Sequence, residues 1–306
     1  MPVSDVRPGR PAEPVALAGA AETTAPIAAP AGRAGVLRRL LRDRPAQVAL
    51  AILALLVLCA LLGSVLFGSP TDIDPLNQLT APTGAHPFGT DELGRDLLAR
   101  TAVAGRISLR VGALATLLAM LVGGLWGVAA AGARGILDDV LMRVADAAMA
   151  IPVILFALIF IAALGTDTVT LTLVTGLLMT PLTARVVRAA VLGELANDYV
   201  LALHAVGVPT WRIMLVEVLP NTTPALLAQT SLNLATALIV EASLSFVGLG
   251  VQPPDASWGT LLKNGYDQLF NTIWYPLFPA LAIVLTVGAL NVVADRVQAI
   301  LDRTDA

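Results

Sequence analysis

Residues with reactive or metal-binding side chains are scarce in this 306-residue chain. Its only cysteine is Cys59, and its two histidines, His86 and His204, lie in different parts of the sequence. A single cysteine cannot form an internal disulfide, and two distant histidines argue against a metal site or a histidine-based catalytic centre. We therefore predict that the chain has no metal site and no catalytic residue.

Lysine is scarce as well. The only lysine is Lys263, which lies in the sequence Leu-Leu-Lys-Asn. A phosphate-binding P-loop requires glycine and lysine followed by serine or threonine. The chain therefore has no Walker-type ATP site of its own.

Charged residues make up only 13% of the chain, whereas hydrophobic residues make up 57%. The mean hydropathy is +0.79. This composition is typical of an all-α polytopic membrane protein, with the lipid bilayer as its surroundings. The sequence has no basic patch with interleaved aromatic residues, so nucleic acid is not a predicted partner.

Six apolar stretches are long enough to cross about 30 Å of hydrocarbon as helices. They are residues 46–67 and approximately residues 107–131, 143–164, 168–190, 223–248 and 273–294. The third stretch begins with Arg143 and Asp146, so only its second half is continuously apolar. Residues 1–36 have no periodic apolar pattern, which predicts a disordered tail.

The distribution of arginines predicts the orientation of the chain. A basic collar, residues 38–44, directly precedes the first span, and most other arginines lie on the same side of the membrane as the N-terminus. By the positive-inside rule, this side is the cytoplasm. Six spans place both termini there, together with the connection 195–221.

The connection 195–221 is predicted to form a helix, an elbow and a second helix. Asn197 and Asp198 are good N-cap residues, and Tyr199, Leu203 and Val206 follow at helical spacing, which predicts one apolar face. Gly207 is predicted to end this first helix.

The second helix of this connection is predicted to begin at Val208-Pro209, because proline is tolerated in a first helical turn. It is predicted to end at Leu219-Pro220, where proline interrupts the helical hydrogen bonds. A helix that rests on lipid usually carries a row of lysines and arginines, whereas this connection has only His204 and Arg212. A protein-docking loop is therefore the preferred interpretation.

Two connections on the opposite side of the membrane carry unusual polar and aromatic residues. In residues 68–106, acidic residues surround Arg95, and we predict a solvated ion-pair cluster because Ca2+ would need a denser set of oxygen ligands. In residues 249–272, the prolines and Trp258 favour a structured plug or docking surface. The residues concerned are Asp91, Glu92, Arg95, Asp96, Pro253, Pro254 and Trp258.

Polar residues within the predicted spans are few, and they are candidates for a translocation path or a helix interface. They are Asn233, Glu241 and Asn291. Glu241 lies deep in an apolar segment, so it is expected either to face a water-filled path or to form a hydrogen bond between helices. Pro152 and Pro181 are predicted kink points. The small residues Gly123, Gly124 and Gly127 are suited to close helix packing.

Four motifs in order resemble the C-type permease subunit of oligopeptide and dipeptide ABC importers, the DppC/OppC family. They are residues 86–96 (HPFGTDELGRD), Gly207 with Leu219-Pro220-Asn221, residues 241–254 (EASLSFVGLGVQPP) and Ser257-Trp258-Gly259. The resemblance extends from about residue 37 to residue 303. It implies a type I ABC importer permease fold with a first helix and long loop in residues 37–105 and a permease core in residues 106–303.

In that family, the cytoplasmic connection is the EAA loop, whose coupling helix binds a groove of an ATP-binding subunit. Here Leu201, Leu203 and Glu217 replace the motif's glutamate, second alanine and isoleucine. This departure suggests a more apolar groove in the partner. The implied contact residues are Tyr199, Leu201, Ala202, Leu203, His204, Gly207, Val208, Arg212, Leu219 and Pro220.

The resemblance further implies the partners and the location of the chain. A second, B-type permease, two ATP-binding subunits or one fused ATPase, and a peptide-binding lipoprotein docked on the outer connections would complete an importer in the bacterial cytoplasmic (inner) membrane. ATP and Mg2+ would bind to the partner subunits, and this chain would carry no cofactor. Permeases of nickel and glutathione importers are similar enough to remain alternatives.

Two other classes of protein remain as alternatives to an ABC permease. An ion-coupled secondary transporter is expected to have more ionisable residues at mid-membrane and an internal repeat, and the sequence shows neither. An intramembrane hydrolase is expected to have a nucleophile with a base, but neither histidine lies in a predicted span.

Overall fold

The computed structural model of the chain describes residues 38–133 and 135–302. The predicted tail, residues 1–36, lies outside the described residues. Within them the structure is helical, and the only extended pairing is an isolated bridge between Thr90 and Asp96. The predicted all-α class is confirmed.

In the part of the chain that the structure describes, five helices are long and apolar enough to cross a membrane. They are α1 (Arg44–Leu66), α2 (Leu97–Ala133), α5 (Thr168–Leu195), α7 (Thr210–Phe246) and α9 (Trp274–Asp302). Two short helices, α6 (Asp198–Ala205) and α8 (Trp258–Asp267), lie in the connections before and after α7. Between α2 and α5 lie two shorter helices that are bent relative to each other. The structure has the six predicted spans only if these two helices are counted together as one span.

The third predicted span is a broken helix. It consists of α3 (Ile136–Met149) and α4 (Val153–Leu164), which meet at an angle of 87°. Pro152 precedes α4 and lacks a backbone N–H, which explains why the predicted kink is a complete break. Twelve residues of helix measure about 18 Å, so α4 alone is too short to cross the hydrocarbon layer. By contrast, Pro181 lies inside α5 without ending it.

Helix α2 is the centre of the bundle, and it packs most extensively against α5. Glycines on one face of α2 permit this packing, since a Cβ at Gly123 would lie 2.7 Å from Thr180 O and one at Gly127 would lie 2.4 Å from Ala184 O. Gly124 faces open space. Two of the three glycines expected to pack closely therefore do so.

The bundle has two ends that carry different features. At the α6 end, the last turns of α2 and α5 pack with α6 and the first turns of α7 through Ala131, Val191, Val200 and Ile213. At the α8 end, the first turns of α2 and α9 pack with α8 through Leu97, Trp258, Leu261 and Tyr275. The candidate sites lie at these two ends.

Candidate functional site

The first candidate site is the segment formed by α6, the Gly207 elbow and the start of α7. Asn197 precedes α6 with extended backbone angles, as predicted, although its side chain forms no capping hydrogen bond. Gly207 has a φ of +81°, a conformation that residues with a Cβ rarely adopt. The chain then turns through Pro209 and begins α7 at Thr210.

Tyr199 attaches α6 to the two long helices beside it. Its hydroxyl donates a hydrogen bond to Glu194 Oε1 at 2.5 Å and accepts one from Asn221 Nδ2 at 3.3 Å. Burial, followed by the hydrogen bond to Glu194, raises the pKa of Tyr199 to about 12. The phenol therefore remains a neutral donor at physiological pH, and this contact does not depend on pH there.

The apolar face of α6 differs from the predicted one at one position. Tyr199 and Leu203 pack against the cluster of buried residues as expected, and Val200 is buried. Val206 is 77% exposed, because α6 ends at Ala205 and Val206 has already left the helical face. The prediction for Val206 is therefore wrong.

The outer surface of this segment is apolar and unusually exposed. Leu201 is 60% exposed and Trp211 is 66% exposed, in addition to Val206. Of the ten residues predicted to contact an ATP-binding subunit, six are exposed and four, including Tyr199, are half-buried. The exposed ones are Leu201, Ala202, His204, Gly207, Arg212 and Pro220, and the half-buried ones are Tyr199, Leu203, Val208 and Leu219.

One of the six exposed residues, Gly207, has no side chain, so five exposed side chains remain available to a partner. The structure brings all ten residues together in one segment at the α6 end. Leu201, at the position where the EAA motif has glutamate, is one of the exposed residues. The segment thus presents an apolar surface where the motif would place a charge.

The predicted end of the second helix at Leu219-Pro220 is wrong. Helix α7 runs without interruption from Thr210 to Phe246, and its turn Ile213–Val218 is a π-helix. A proline in a regular α-helix would clash with the carbonyl four residues earlier, and a wider π-helical turn directly before Pro220 relieves this clash. The elbow is therefore joined to a membrane span by continuous helix.

The second candidate site is the ion-pair cluster at the α8 end. Asp91 is fully buried, and its Oδ2 accepts a hydrogen bond from Arg95 Nε at 2.6 Å and lies 3.1 Å from Arg100 Nε. Its Oδ1 accepts from the backbone N–H groups of Leu93 and Arg95. The predicted solvated cluster is thus a buried one, because the turn folds over the carboxylate.

The remaining members of this cluster secure the start of α2. Glu92 accepts a hydrogen bond from Arg95 at 3.2 Å. Asp96 Oδ2 lies 2.9 Å from His86 Nδ1, and its Oδ1 accepts from the backbone N–H of Ala99 at 2.8 Å. Asp96 therefore stabilises the first turn of α2 in the manner of an N-cap.

Trp258 is the first residue of α8, and it is buried rather than presented to a partner. Trp258 is only 2% exposed, and its indole N–H donates a hydrogen bond to Thr101 O at 2.8 Å. Its backbone N–H donates to Ser108 Oγ at 3.0 Å. The prediction of docking residues therefore needs correction at Asp91 and Trp258, while Pro253 and Pro254 are exposed.

Glu241 completes a buried network that joins three helices. Its carboxylate accepts hydrogen bonds from Ser108 on α2 at 3.1 Å and from Ser245 on α7 at 2.8 Å, and the residue is 1% exposed. Ser108 also accepts from Trp258 on α8. Of the two interpretations of Glu241, these contacts support the hydrogen bond between helices.

The three polar residues predicted for a path or interface are not brought together. Asn233 is buried, where it donates to Thr183 Oγ1 at 2.9 Å and accepts from Gln229 at 2.8 Å. Asn291 is exposed on α9. Asn233 thus joins α7 to α5, and Glu241 joins α7 to α2. Of the three residues, only Asn291 is exposed.

Sequence reasoning did not select Arg100 or Ser108. Arg100 lies just beyond the motif in residues 86–96, and the signal that could have revealed it is a charge in an otherwise apolar helical stretch. Ser108 carries no such signal, because serine is common in membrane helices. Among the described residues, no group of three or more His, Cys, Asp or Glu side chains could hold a metal ion.

Replacing Glu241 with alanine is expected to lower the melting temperature of the purified complex. The change removes the acceptor for Ser108 and Ser245 and leaves a cavity, and a lost buried hydrogen-bond partner costs about 1–3 kcal/mol. Glu241→Gln keeps one acceptor oxygen and should have a smaller effect. Equal melting temperatures for wild type and Glu241→Ala would show that the network does not stabilise the bundle.

Comparison with known proteins gives the family. Residues 115–304 match the family described as binding-protein-dependent transport system inner membrane component, and residues 34–82 match the N-terminal TM domain of oligopeptide transport permease C. A putative peptide transport system permease protein of Brucella abortus is 37% identical over 266 residues, which cover 87% of this chain and 90% of that protein. The dipeptide transport system permease protein DppC of Bacillus subtilis is 38% identical over 271 residues, covering 87% and 83% of the two chains.

A solved structure shows the same fold. A chain of the MetNI methionine ABC transporter, in an inward-facing conformation, superposes with a TM-score of 0.55 at 18% identity and covers 64% of this chain and 93% of that chain. The family match covers more than half of the sequence, and it agrees with the helical bundle described above. The chain therefore belongs to the inner-membrane components of binding-protein-dependent transport systems, as a multi-pass permease of the DppC/OppC type.

Proposed function

We propose that this chain is one permease subunit of an ATP-driven importer and forms half of the path through which dipeptides or oligopeptides cross the bacterial cytoplasmic membrane. The observation that carries the proposal is the exposed apolar segment at the α6 end, which is joined to α7 by continuous helix. The names of the relatives in Brucella abortus and Bacillus subtilis support peptides as the substrate.

The geometry of the α6 end supports mechanical coupling to an ATP-binding subunit. Leu201, Val206 and Trp211 offer exposed apolar area, which a partner's groove would remove from water. Tyr199 attaches the segment to Glu194 on α5 and to Asn221 on α7. A displacement of α6 would therefore move two membrane-spanning helices together.

The rest of the importer is part of the same proposal. A second, B-type permease would complete the path, two ATP-binding subunits or one fused ATPase would bind ATP and Mg2+, and a peptide-binding lipoprotein would dock at the α8 end. The arginine distribution supports cytoplasmic N- and C-termini, with the α6 end in the cytoplasm. The exposed Pro253 and Pro254 lie at the opposite end, where the lipoprotein would dock.

Purification of the tagged chain from its own membranes tests the proposal. Gentle extraction should recover a second permease, P-loop subunits and a lipoprotein carrying a peptide, and mass spectrometry would identify each of them. Recovery of the chain alone, or only with copies of itself, would contradict the proposed importer. A recovered lipoprotein that carries nickel or glutathione would retain the importer but replace its substrate.

Replacing Gly207 with valine is expected to uncouple peptide uptake from ATP hydrolysis while leaving membrane insertion intact. No atom lies within 4 Å of the Cβ that would be added, so the effect comes from the backbone: a left-handed conformation costs a residue with a Cβ about 1–2 kcal/mol. The elbow should shift to relieve this strain. Uptake and ATPase activity of the reconstituted importer measure the outcome.

Gly193 supplies the matched control for this prediction. It also has open space around its Cβ position, but it lies inside α5 and has no positive φ. Gly193→Val should therefore retain both activities in their normal ratio. Normal coupling in Gly207→Val would show that the elbow conformation is not needed.

A further inference from the structure

Two adjoining cavities lie at the α8 end, with volumes of about 570 Å³ and about 450 Å³. Arg100 belongs to the walls of both, together with parts of the first connection and of the loop before α8. We call these cavities together the arginine groove. Its cationic wall residues are Arg95, Arg100, Arg106, Arg110 and Lys263, and its acidic wall residues are Glu92 and Asp255.

Arg100 is buried at the junction of the two cavities, and its side-chain donors form no hydrogen bond with the described residues. Its side chain is 9% exposed, and its Nε forms no hydrogen bond, although it lies 3.1 Å from Asp91 Oδ2. That oxygen already accepts from Arg95 Nε at 2.6 Å. A guanidinium group has five N–H donors, and within residues 38–133 and 135–302 none of those of Arg100 has a hydrogen-bond acceptor. The groove therefore has a buried cation that can accept a ligand.

The second cavity adds two further arginines, Arg106 and Arg110, and Asp255 is the acidic residue in its wall. Arg106 donates its hydrogen bonds to Ala60 O, Leu61 O and Ser64 Oγ, none of which is charged. Arg110 is exposed, one helical turn further along α2. Neither arginine forms an ion pair with any residue that the structure describes. A charge in an apolar helix normally faces a water-filled cavity or the bundle interior, which agrees with the position of Arg110 in this wall.

The chemistry of the groove fits a carboxylate. Arginine binds carboxylates through two parallel N–H···O bonds, and these charge-assisted bonds are stronger than neutral ones. Because Arg100 is nine-tenths buried, only a slender group can reach it, and the free end of a peptide is such a group. A side chain on the surface of a docked protein would have to project into the cavity to reach the same atoms.

We propose that the arginine groove binds the C-terminal carboxylate of a peptide, with Arg100 and Arg110 as ligands, when the peptide enters the permease. This inference rests on the proposed function, since it assumes that peptides are the substrate. Glu92 and Asp255 in the wall of the first cavity would then face the cationic groups of the peptide. The groove would favour peptides with a free C-terminus over peptides with a blocked one.

Uptake by the complete importer, reconstituted in proteoliposomes with ATP, tests the inference. The probe is a tripeptide pool built from Ala, Phe, Ser and Lys, in which the C-terminus is the only carboxylate, compared with the same pool as C-terminal amides. Each pool is supplied on saturated binding protein, so that loading does not differ. Imported peptides are quantified by mass spectrometry.

The variants are Arg100→Lys, which keeps the charge but loses the planar fork, and Arg110→Gln, which changes an exposed side chain and should not affect folding. Each should slow uptake of the free acids about tenfold, equivalent to the loss of one charge-assisted bond. Uptake of the amides should remain at the wild-type rate. The matched control is Arg143→Gln, an exposed arginine on α3 outside the groove, which should leave both rates unchanged.

Three outcomes would overturn the inference. If both variants keep the wild-type preference for free acids, the groove does not bind the carboxylate, while the proposed peptide uptake stands. If the variants slow acids and amides equally and weaken binding-protein association, the groove is instead a protein-docking surface. If the wild-type importer takes up neither pool with ATP, the proposed function fails and the inference fails with it.

Discussion

Replacing Asp91 with alanine is expected to destabilise the α8 end by about 3–5 kcal/mol, the usual effect of removing one partner from a buried ion pair. Asp91 is fully buried, and its carboxylate faces Arg95 and Arg100, whose side chains are 17% and 9% exposed. Without it, Arg100 would be a buried cation with no ion-pair partner among the described residues. The two backbone N–H groups that donate to Asp91 would also lose their acceptor.

Asp72 is the matched control for this experiment. It lies in the same connection but is exposed, and the structure gives it no ion pair within residues 38–133 and 135–302. Asp72→Ala should therefore change stability by less than about 0.5 kcal/mol. Melting curves of the purified complexes compare the two variants, and coincident curves would show that the Asp91 cluster does not stabilise the fold. Asp91→Asn, which keeps an acceptor for the backbone, should fall between them.

The helical part of the fold could be predicted from hydropathy because each span needs only an apolar stretch of sufficient length. At the break between α3 and α4, the sequence predicts only a kink at Pro152. Its size depends on how the two halves pack, and α3 is attached to α5 by Asp138, whose carboxylate accepts two hydrogen bonds of 2.6 Å from Arg188. Those residues are 50 positions apart, so no local pattern could pair them.

The errors at Pro220 and Trp258 have a common physical cause. From local sequence, a proline is expected to end a helix, and a tryptophan in a loop is expected to lie at the surface. In the structure a π-helical turn accommodates Pro220, and Ser108 and Thr101 supply the hydrogen-bond partners that allow Trp258 to be buried. The position of Pro220 depends on helix geometry, and the burial of Trp258 depends on partners that are far away in the sequence. Neither can be recognised from the neighbouring residues alone.

The two ends of the bundle are connected through α7 itself. Its first turns follow the Gly207 elbow, its middle contacts α5 through Asn233, and its last turns hold Glu241 and Ser245. Ser245 also lines the first cavity of the arginine groove. A rigid α7 would therefore carry a displacement from the proposed ATPase contact to the proposed peptide entrance, provided that α2 and α5 stay closely packed beside it.

This packing is the basis of the last prediction: Gly127→Ala should separate α2 from α5 and greatly reduce the yield of assembled complex. The added Cβ would lie 2.4 Å from Ala184 O and 2.9 Å from Arg188 N. These are backbone atoms that cannot rotate away, and overpacking of this kind costs about 1–3 kcal/mol or more. Arg188 would move with its backbone, so its contact with Asp138 on α3 would be disturbed too.

Gly124→Ala, one turn earlier on the same helix, separates this effect from a general intolerance of α2 to alanine. No atom lies within 4 Å of its Cβ position, and alanine is favoured over glycine in a helix by about 1 kcal/mol. The yield and melting temperature of this variant should equal or exceed those of wild type, while Gly127→Ala falls well below both. Similar losses in the two variants would mean that contact between α2 and α5 is not the cause, and the close packing of these helices would then be no requirement for assembly.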